Sequence, residues 1–210
     1  FNPTIQYLTH RGFVVIAPNV RGSSGYGKTY LHLDDVELRM DSVADLAAGA
    51  KWAADSGLAD RNRIAVMGQS YGGFMVMAAV TEYPELWAAG IDIYGIVNFV
   101  TFMENTGPWR RKHRAAEYGS LEEHRDVLER ISPIHKADRI AAPMMFIHGA
   151  NDPRVPIGET EQILENLKSR GRPSGYVRFE DEGHGIVKLK NKLVAWPRIA
   201  EFLAEHLGAD

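Results

Sequence analysis

Short apolar runs without polar alternation recur along this 210-residue sequence, with segments of helical length between them. Such runs are typical of strands that are buried on both faces. Their alternation with helical segments indicates an α/β fold, in which a mainly parallel sheet carries helices on both faces. The predicted strands are residues 13–17, 64–67, 88–94, 144–147 and 176–179.

The length suits one domain, and we predict that residues 1–210 form a single α/β unit. A charged stretch at about residues 98–132 breaks the alternation and is predicted to be a helical insertion beside the sheet. It contains a basic run at residues 109–114 (Trp-Arg-Arg-Lys-His-Arg). This run is either a solvated or ion-paired face, or a docking surface for another domain or for a peptide carboxylate.

Composition and motif content exclude several classes of function. A formal net charge of -3 gives no electrostatic reason to expect nucleic acid or an anionic membrane as a partner. No apolar run reaches the ~18 residues of a membrane span. The absence of cysteine excludes disulfides, cysteine nucleophiles and thiolate metal sites. The sequence has neither metal-ligand spacing nor a phosphate-binding glycine loop, so we expect no metal and no cofactor. We also expect a cytoplasmic location.

A glycine-flanked serine lies between a predicted strand and an apolar helical pattern, in residues 68–73 (Gly-Gln-Ser-Tyr-Gly-Gly). In this context Gly-x-Ser-x-Gly forms a tight turn that projects a serine nucleophile above the sheet. We therefore predict that Ser70 is a nucleophile. Gly68 and Gly72 are expected to be needed because a β-carbon at either position would clash with the neighbouring strand or helix. The N–H group of Tyr71, at the start of the helix, is the predicted donor to an oxyanion.

A serine nucleophile needs a general base, and His184 is the best placed of the eight histidines. It lies in a glycine-flanked loop, residues 181–185, after the last predicted strand. The C-terminal ends of parallel strands lie at one edge of the sheet, so this loop is expected beside Ser70. His148 ends a strand and is expected to be a packed or supporting residue.

The base needs an acid that orients it, and Asp152 follows the fourth predicted strand at the same edge. Asp138 precedes its strand, and Asp92 lies within a strand. Asp181 remains the alternative because it is close to His184 in sequence. The resulting order, Ser70, Asp152 and His184, is that of α/β-hydrolases, and it predicts acyl transfer through an acyl-enzyme.

Four motifs together resemble the prolyl oligopeptidase family, closest to its acylaminoacyl-peptidase and dipeptidyl-aminopeptidase-like members. They are residues 21–27 (Arg-Gly-Ser-Ser-Gly-Tyr-Gly), 68–73, 148–156 (His-Gly-Ala-Asn-Asp-Pro-Arg-Val-Pro) and 181–185 (Asp-Glu-Gly-His-Gly). The resemblance extends over essentially the whole chain. It implies an α/β-hydrolase fold and a serine peptidase that acts on short peptides or blocked N-termini.

The resemblance also implies substrate-binding roles for three residues. Arg154 matches a family arginine that binds a substrate backbone carbonyl; the alternative is a surface salt bridge. Tyr71 and Val155 match positions near the pocket for the residue before the scissile bond.

The sequence departs from the family at its beginning. Members usually have a preceding strand with a His-Gly-Gly-Pro-like loop, which supplies a second oxyanion donor, and an N-terminal β-propeller. In the family order this strand lies between residues 13–17 and 64–67. We therefore expect a C-terminal fragment that lacks the first strands and the oxyanion-loop strand, and is weakly stable and poorly active alone. The alternatives are a carboxylesterase on the same fold and an inactive fragment or binding domain.

Overall fold

The computed structural model describes residues 1–172 and 174–208. Within this part of the chain, four strands form one parallel sheet in the order β1-β2-β3-β4. The strands are β1 (Ala65–Gln69), β2 (Ala89–Ile93), β3 (Met144–Gly149) and β4 (Gly175–Phe179). Four of the five predicted strands are thus confirmed, with ends that differ from the prediction by no more than two residues.

Helices connect and cover these strands. The α-helices are α1 (Pro3–His10), α2 (Lys28–Leu31), α3 (Arg39–Asp55), α4 (Tyr71–Glu82), α5 (Phe99–Glu104), α6 (Pro108–Tyr118), α7 (Arg125–Ile131), α8 (Gly158–Ser169) and α9 (Leu189–Leu207). 3₁₀ helices span Val36–Leu38, Pro84–Leu86 and Pro133–Arg139. None of the described helices combines the length and the apolar character that crossing a membrane requires.

The sheet has an apolar cluster on each face, which confirms the predicted helices on both sides. On one face Phe74 of α4 packs in a cluster with Val66 and Phe146 of the strands, together with residues of α3, α5, α7 and α8. On the other face Ile199 of α9 shares a cluster with Ile91 of β2, and Leu8 of α1 belongs to it as well. Burial of these apolar surfaces is the main term that holds the layers together.

The predicted first strand, residues 13–17, is wrong. These residues form no ladder with any described strand, and β1 is the edge of the sheet on that side. Their side chains alternate: Phe13 and Val15 pack against the second apolar cluster, whereas Val14 and Ile16 are 64% and 44% exposed. An apolar, β-rich run becomes a strand only when a neighbouring strand accepts its backbone hydrogen bonds, and no described strand does so here.

The segment predicted as a helical insertion contains α5, α6 and α7. Phe99 and Phe102 of α5 and Leu128 of α7 are buried in the first apolar cluster. The buried carboxylate of Glu159 at the start of α8 holds the segment in place by accepting hydrogen bonds from the N–H groups of Val97 and Asn98, at 3.1 and 2.9 Å. The start of the segment is therefore tied to the start of α8.

Candidate active site

Ser70 occupies a strained turn between β1 and α4. Its backbone has φ 57° and ψ -120°, a region that residues with a β-carbon seldom adopt. The Ser70 N–H donates to the carbonyl of Ile93 at the end of β2, at 2.9 Å. A β-carbon at Gly68 would lie 2.2 Å from the carbonyl oxygen of Gly72, so this glycine is required. The surrounding packing holds the serine in an unfavourable conformation that lifts it above the sheet.

The predicted clash at Gly72 is wrong. A β-carbon there would meet nothing within 4 Å. The tight position is the next residue, Gly73, where a β-carbon would lie 2.3 Å from Asp92 Oδ1 and 2.4 Å from the Cα of Gly95. The contact at Gly68 involves the backbone of residue 72, which every amino acid has, so it does not require a glycine there.

The structure brings Ser70, His184 and Asp152 together. The Ser70 hydroxyl lies 2.8 Å from Nε2 of His184, and Nδ1 of His184 lies 2.7 Å from Oδ2 of Asp152. The three residues come from the loops that follow β1, β4 and β3. A serine, an imidazole and a carboxylate linked in this way allow the imidazole to accept the serine proton, while the carboxylate fixes the tautomer of the imidazole.

The surroundings of Asp152 favour the charged form of its carboxylate, which accepts several hydrogen bonds. Its side chain is buried, and its Oδ1 accepts hydrogen bonds from the N–H groups of Arg154 and Val155 at 2.7 and 3.0 Å. Burial alone would raise the pKa of Asp152. Hydrogen bonds from His148, His184 and the two backbone groups outweigh burial and hold the pKa well below its ordinary value.

His148 lies behind this acid, buried at the end of β3. Its Nε2 lies 3.0 Å from the carbonyl of Val155 and 3.5 Å from Asp152 Oδ2. Its Nδ1 lies 2.8 Å from the Thr160 hydroxyl. His148 is thus a packed residue, as expected from the sequence, and its contacts fix the loop that carries Asp152.

The other carboxylates considered from the sequence have different partners. Asp181 pairs with Lys188 and Lys190 at 2.9 and 2.7 Å. Asp92 is fully buried below the serine turn, and its Oδ1 accepts a hydrogen bond from the Gly95 N–H at 2.7 Å. Burial raises the pKa of Asp92 to about 7. Neither group contacts His184 in the way that Asp152 does.

The Tyr71 N–H is the first amide of α4, and among the described residues it has no hydrogen-bond acceptor. Amides at a helix N-terminus carry partial positive charge and favour an anion in front of them. Its position directly after Ser70 makes this N–H suitable for an oxyanion that forms beside the serine.

The Tyr71 side chain contacts two residues that sequence reasoning missed. Its hydroxyl lies 2.8 Å from a guanidinium nitrogen of Arg39 and 2.9 Å from Oδ2 of Asp34. Both partners are buried. They lie more than 30 positions before Tyr71, in a segment without any recognisable motif, so no local signal could have indicated them.

Tyr94 is another contact that the sequence did not indicate. Its ring centre lies 4.8 Å from that of the His184 imidazole, and its hydroxyl donates to Gln69 at 2.7 Å. The Tyr94 ring therefore lies against the imidazole of His184.

A cavity of about 230 Å³ opens at Ser70 and His184. Arg154 and Val155 line it, as their predicted substrate-binding roles require, and Tyr71 does as well. Its other lining residues are Ile96, Phe102, Arg110, His113, Arg114, Glu117 and Tyr118. The cavity combines apolar walls with several cationic groups next to the serine.

The basic run of α6 contributes to this cavity. The Arg114 guanidinium lies 3.9 Å above the Phe102 ring and donates to the backbone carbonyl of Arg154 at 2.7 Å. Arg111 and Lys112 are exposed. Part of the run is thus a solvated face, and part of it lies against the loop that carries Asp152.

Comparison with known proteins identifies one family profile and related peptidases. The profile described as "Prolyl oligopeptidase family" matches residues 1–210. "Dipeptidyl peptidase family member 6" of Caenorhabditis elegans is 36% identical over 216 residues, which cover 100% of this chain and 29% of that protein. "Dipeptidyl aminopeptidase BIII" of Pseudoxanthomonas mexicana is 34% identical over 97% of this chain and 30% of its own length. The chain thus spans about 30% of the length of these relatives.

Solved structures of peptidases also superpose on this chain. A puromycin-hydrolyzing peptidase of Mycobacterium tuberculosis superposes with a TM-score of 0.87 at 31% identity, over 91% of this chain and 29% of that one. An acylaminoacyl peptidase of Pyrococcus horikoshii superposes with a TM-score of 0.82 at 26% identity, over 90% and 32%.

Proposed function

Because this chain belongs to the prolyl oligopeptidase family and has an α/β-hydrolase fold, we propose that it is the catalytic part of a serine peptidase. Ser70 is the nucleophile, His184 the general base and Asp152 the residue that orients the base. The observation that carries the proposal is the continuous chain of contacts at 2.8 and 2.7 Å that joins these three side chains.

The first half of the reaction forms an acyl-enzyme. As Ser70 Oγ attacks the substrate carbonyl carbon, its proton moves to Nε2 of His184, and the carbonyl oxygen becomes an oxyanion. His184 becomes an imidazolium, which the carboxylate of Asp152 stabilises through Nδ1–H. The imidazolium then gives its proton to the leaving amine as the peptide bond breaks. In the second half, His184 deprotonates a water that attacks the ester, and Ser70 regains its proton.

The oxyanion lies in front of the Tyr71 N–H in this proposal. The family resemblance implies a second donor in a His-Gly-Gly-Pro-like loop, a sequence that this chain does not contain. Tyr71 is therefore the donor that the described residues supply. Removal of one such donor typically costs a factor of about 10²–10³ in kcat.

We propose short peptides or peptides with blocked N-termini as substrates. The names of the relatives, which include a dipeptidyl aminopeptidase and an acylaminoacyl peptidase, support this class. Arg154 is proposed to donate to a substrate backbone carbonyl. Its presence in the cavity lining, with both its N–H and its carbonyl held by neighbours, supports this role. Val155 is buried and forms part of the wall for the residue before the scissile bond.

The whole protein is proposed to contain more than this domain. The relatives are about three times as long as the matched segment, which supports the expected N-terminal β-propeller as a further domain. We also retain a cytoplasmic location as a proposal.

Active-site labelling tests the proposal. A fluorophosphonate should label the complete natural protein covalently, and Ser70→Ala should abolish labelling. An unlabelled but folded wild-type protein would support the inactive-domain alternative. Turnover of an aminoacyl or acyl-aminoacyl anilide, compared with a simple p-nitrophenyl ester, separates peptidase from carboxylesterase. Hydrolysis of the ester alone would refute the peptidase assignment.

A further inference from the structure

Arg39 is a fully buried arginine at the first residue of α3, and it contacts three parts of the chain. One terminal nitrogen donates to Asp34 Oδ2 at 2.5 Å and to the Tyr71 hydroxyl at 2.8 Å. The other donates to the backbone carbonyl of Glu117 at the end of α6, at 2.8 Å. Its guanidinium carbon also lies 5.1 Å from the Tyr71 ring centre and 4.9 Å from that of Tyr118.

Tyr71 is held at its hydroxyl from several sides. Besides the contact with Arg39, the hydroxyl donates to Asp34 at 2.9 Å and lies 3.3 Å from the Ser42 hydroxyl. Burial raises the pKa of Tyr71 to about 12, so the hydroxyl keeps its proton over the working pH range. The Tyr71 ring stacks on Tyr118, with ring centres 6.2 Å apart and an interplanar angle of 11°.

Stability alone does not explain why a charged pair is buried here. Removing an arginine and a carboxylate from water costs several kcal/mol, and an apolar replacement is often as stable or more so. Nε of Arg39 has no hydrogen-bond partner among the described residues, so part of that cost is not offset. A planar, forked guanidinium does, however, fix the relative positions of the groups that it bridges.

We propose that Arg39, with Asp34, is a positioning residue for oxyanion stabilisation. By holding the Tyr71 side chain, it fixes the peptide unit between Ser70 and Tyr71, whose N–H faces the developing charge. By holding Glu117, it fixes the Tyr118 wall of the cavity relative to that N–H. The inference rests on the proposed function, because it assigns a role within that reaction.

Tyr71→Phe in the complete natural protein is the most direct test. It removes the hydroxyl but leaves the ring and the backbone N–H in place. If the Tyr71 N–H is misplaced, kcat is expected to fall on the order of tenfold, with KM within about twofold. The hydrogen bond from this N–H to the oxyanion strengthens only in the transition state. Tyr176→Phe is the matched control: its buried hydroxyl has no described partner and lies away from the site, so kcat should not change.

Inhibitor binding separates positioning from a merely structural role. A peptide boronate forms a tetrahedral adduct on Ser70, so its Ki in Tyr71→Phe should rise by the factor by which kcat falls. Affinity for the unreactive peptide product should stay within twofold of wild type. Rates are divided by the concentration of active enzyme, which is measured by titration with a fluorophosphonate. Arg39→Lys, which keeps the charge but loses the fork, should show the same parallel loss.

Three results would overturn the inference. In the first, Tyr71→Phe retains wild-type kcat and boronate Ki and loses only thermal stability. In the second, kcat falls while the boronate Ki stays constant. In the third, the wild type is neither labelled nor active, which refutes the proposed function as well and so differs from the other two. If Arg39→Lys fails to fold, Tyr71→Phe still decides the matter.

Discussion

Gly73 and Gly95 face each other so closely that a β-carbon on Gly73 would lie 2.4 Å from the Cα of Gly95. Here the start of α4 rests directly on the chain that leaves β2. The same approach lets the Ser70 N–H reach the carbonyl of Ile93. The height of Ser70 above the sheet therefore depends on this pair of glycines as well as on Gly68, and Gly95 lies outside the serine motif.

Gly73→Ala is expected to destabilise the protein by about 1–3 kcal/mol or more, because the new methyl group collides with backbone that cannot move away. Gly72→Ala is the matched control, since a β-carbon there meets nothing within 4 Å. In this helical position alanine should be neutral or stabilising by up to about 1 kcal/mol. Urea unfolding of both variants measures the difference. Equal losses would contradict the close approach described here.

Asp152→Asn is expected to lower kcat by a factor of about 10³–10⁴, because an amide no longer enforces the imidazole tautomer that accepts the serine proton. Asp181→Asn is the control for the alternative acid, and its exposed ion pairs with lysines predict less than about a threefold change. Steady-state kinetics and the rate of fluorophosphonate labelling provide the measurement. A comparable loss in Asp181→Asn would mean that the orienting acid is misassigned.

Asp92 is expected to make stability depend on pH. Burial raises its pKa from 3.8 to about 7, so folding takes up a proton, and the free energy of unfolding falls as pH rises from about 4 to 7. Of the neighbouring charged groups, His148 lowers this pKa and Glu159 raises it. Asp92→Asn removes the titration. The variant should therefore gain about 2–3 kcal/mol relative to wild type between pH 5 and pH 8. Urea midpoints at both values test this, and parallel curves would contradict it.

Glu159→Ala is expected to cost about 2–3 kcal/mol, because it leaves the amides of Val97 and Asn98 without their acceptor. Glu159→Gln should cost less, since an amide oxygen can still accept both bonds. Glu161→Ala, which removes only an exposed pair with Arg178, should cost less than about 1 kcal/mol. Thermal unfolding ranks the three. If all three variants lose similar stability, Glu159 does not anchor the segment that begins at Asn98.

The sequence could predict that Ser70, Asp152 and His184 lie close together because a single rule places them. In a parallel sheet all C-terminal strand ends lie at one edge, so Ser70, Asp152 and His184 needed only the correct strands before them. Residues 13–17 could not be predicted in the same way, because an apolar run is a strand only if a partner lies beside it. The close approach at Gly73 depends on Gly95, which follows a different strand.

The contacts of Arg39 with Asp34 and Tyr71 were harder to predict from the sequence. Arginine and aspartate near one another usually indicate an exposed ion pair, and burial reverses that interpretation. Only the three-dimensional path of α3 brings Arg39 against the residue that follows Ser70. Groups that support a reacting residue through space leave no periodicity or motif in the sequence.

His184, the proposed base, belongs to the loop after β4, the last of the described strands along the chain, whereas Ser70 and Asp152 follow earlier strands. During translation the growing polypeptide therefore carries the proposed nucleophile and its orienting acid before it carries His184. A polypeptide that ends before residue 184 would hold the proposed nucleophile without its general base.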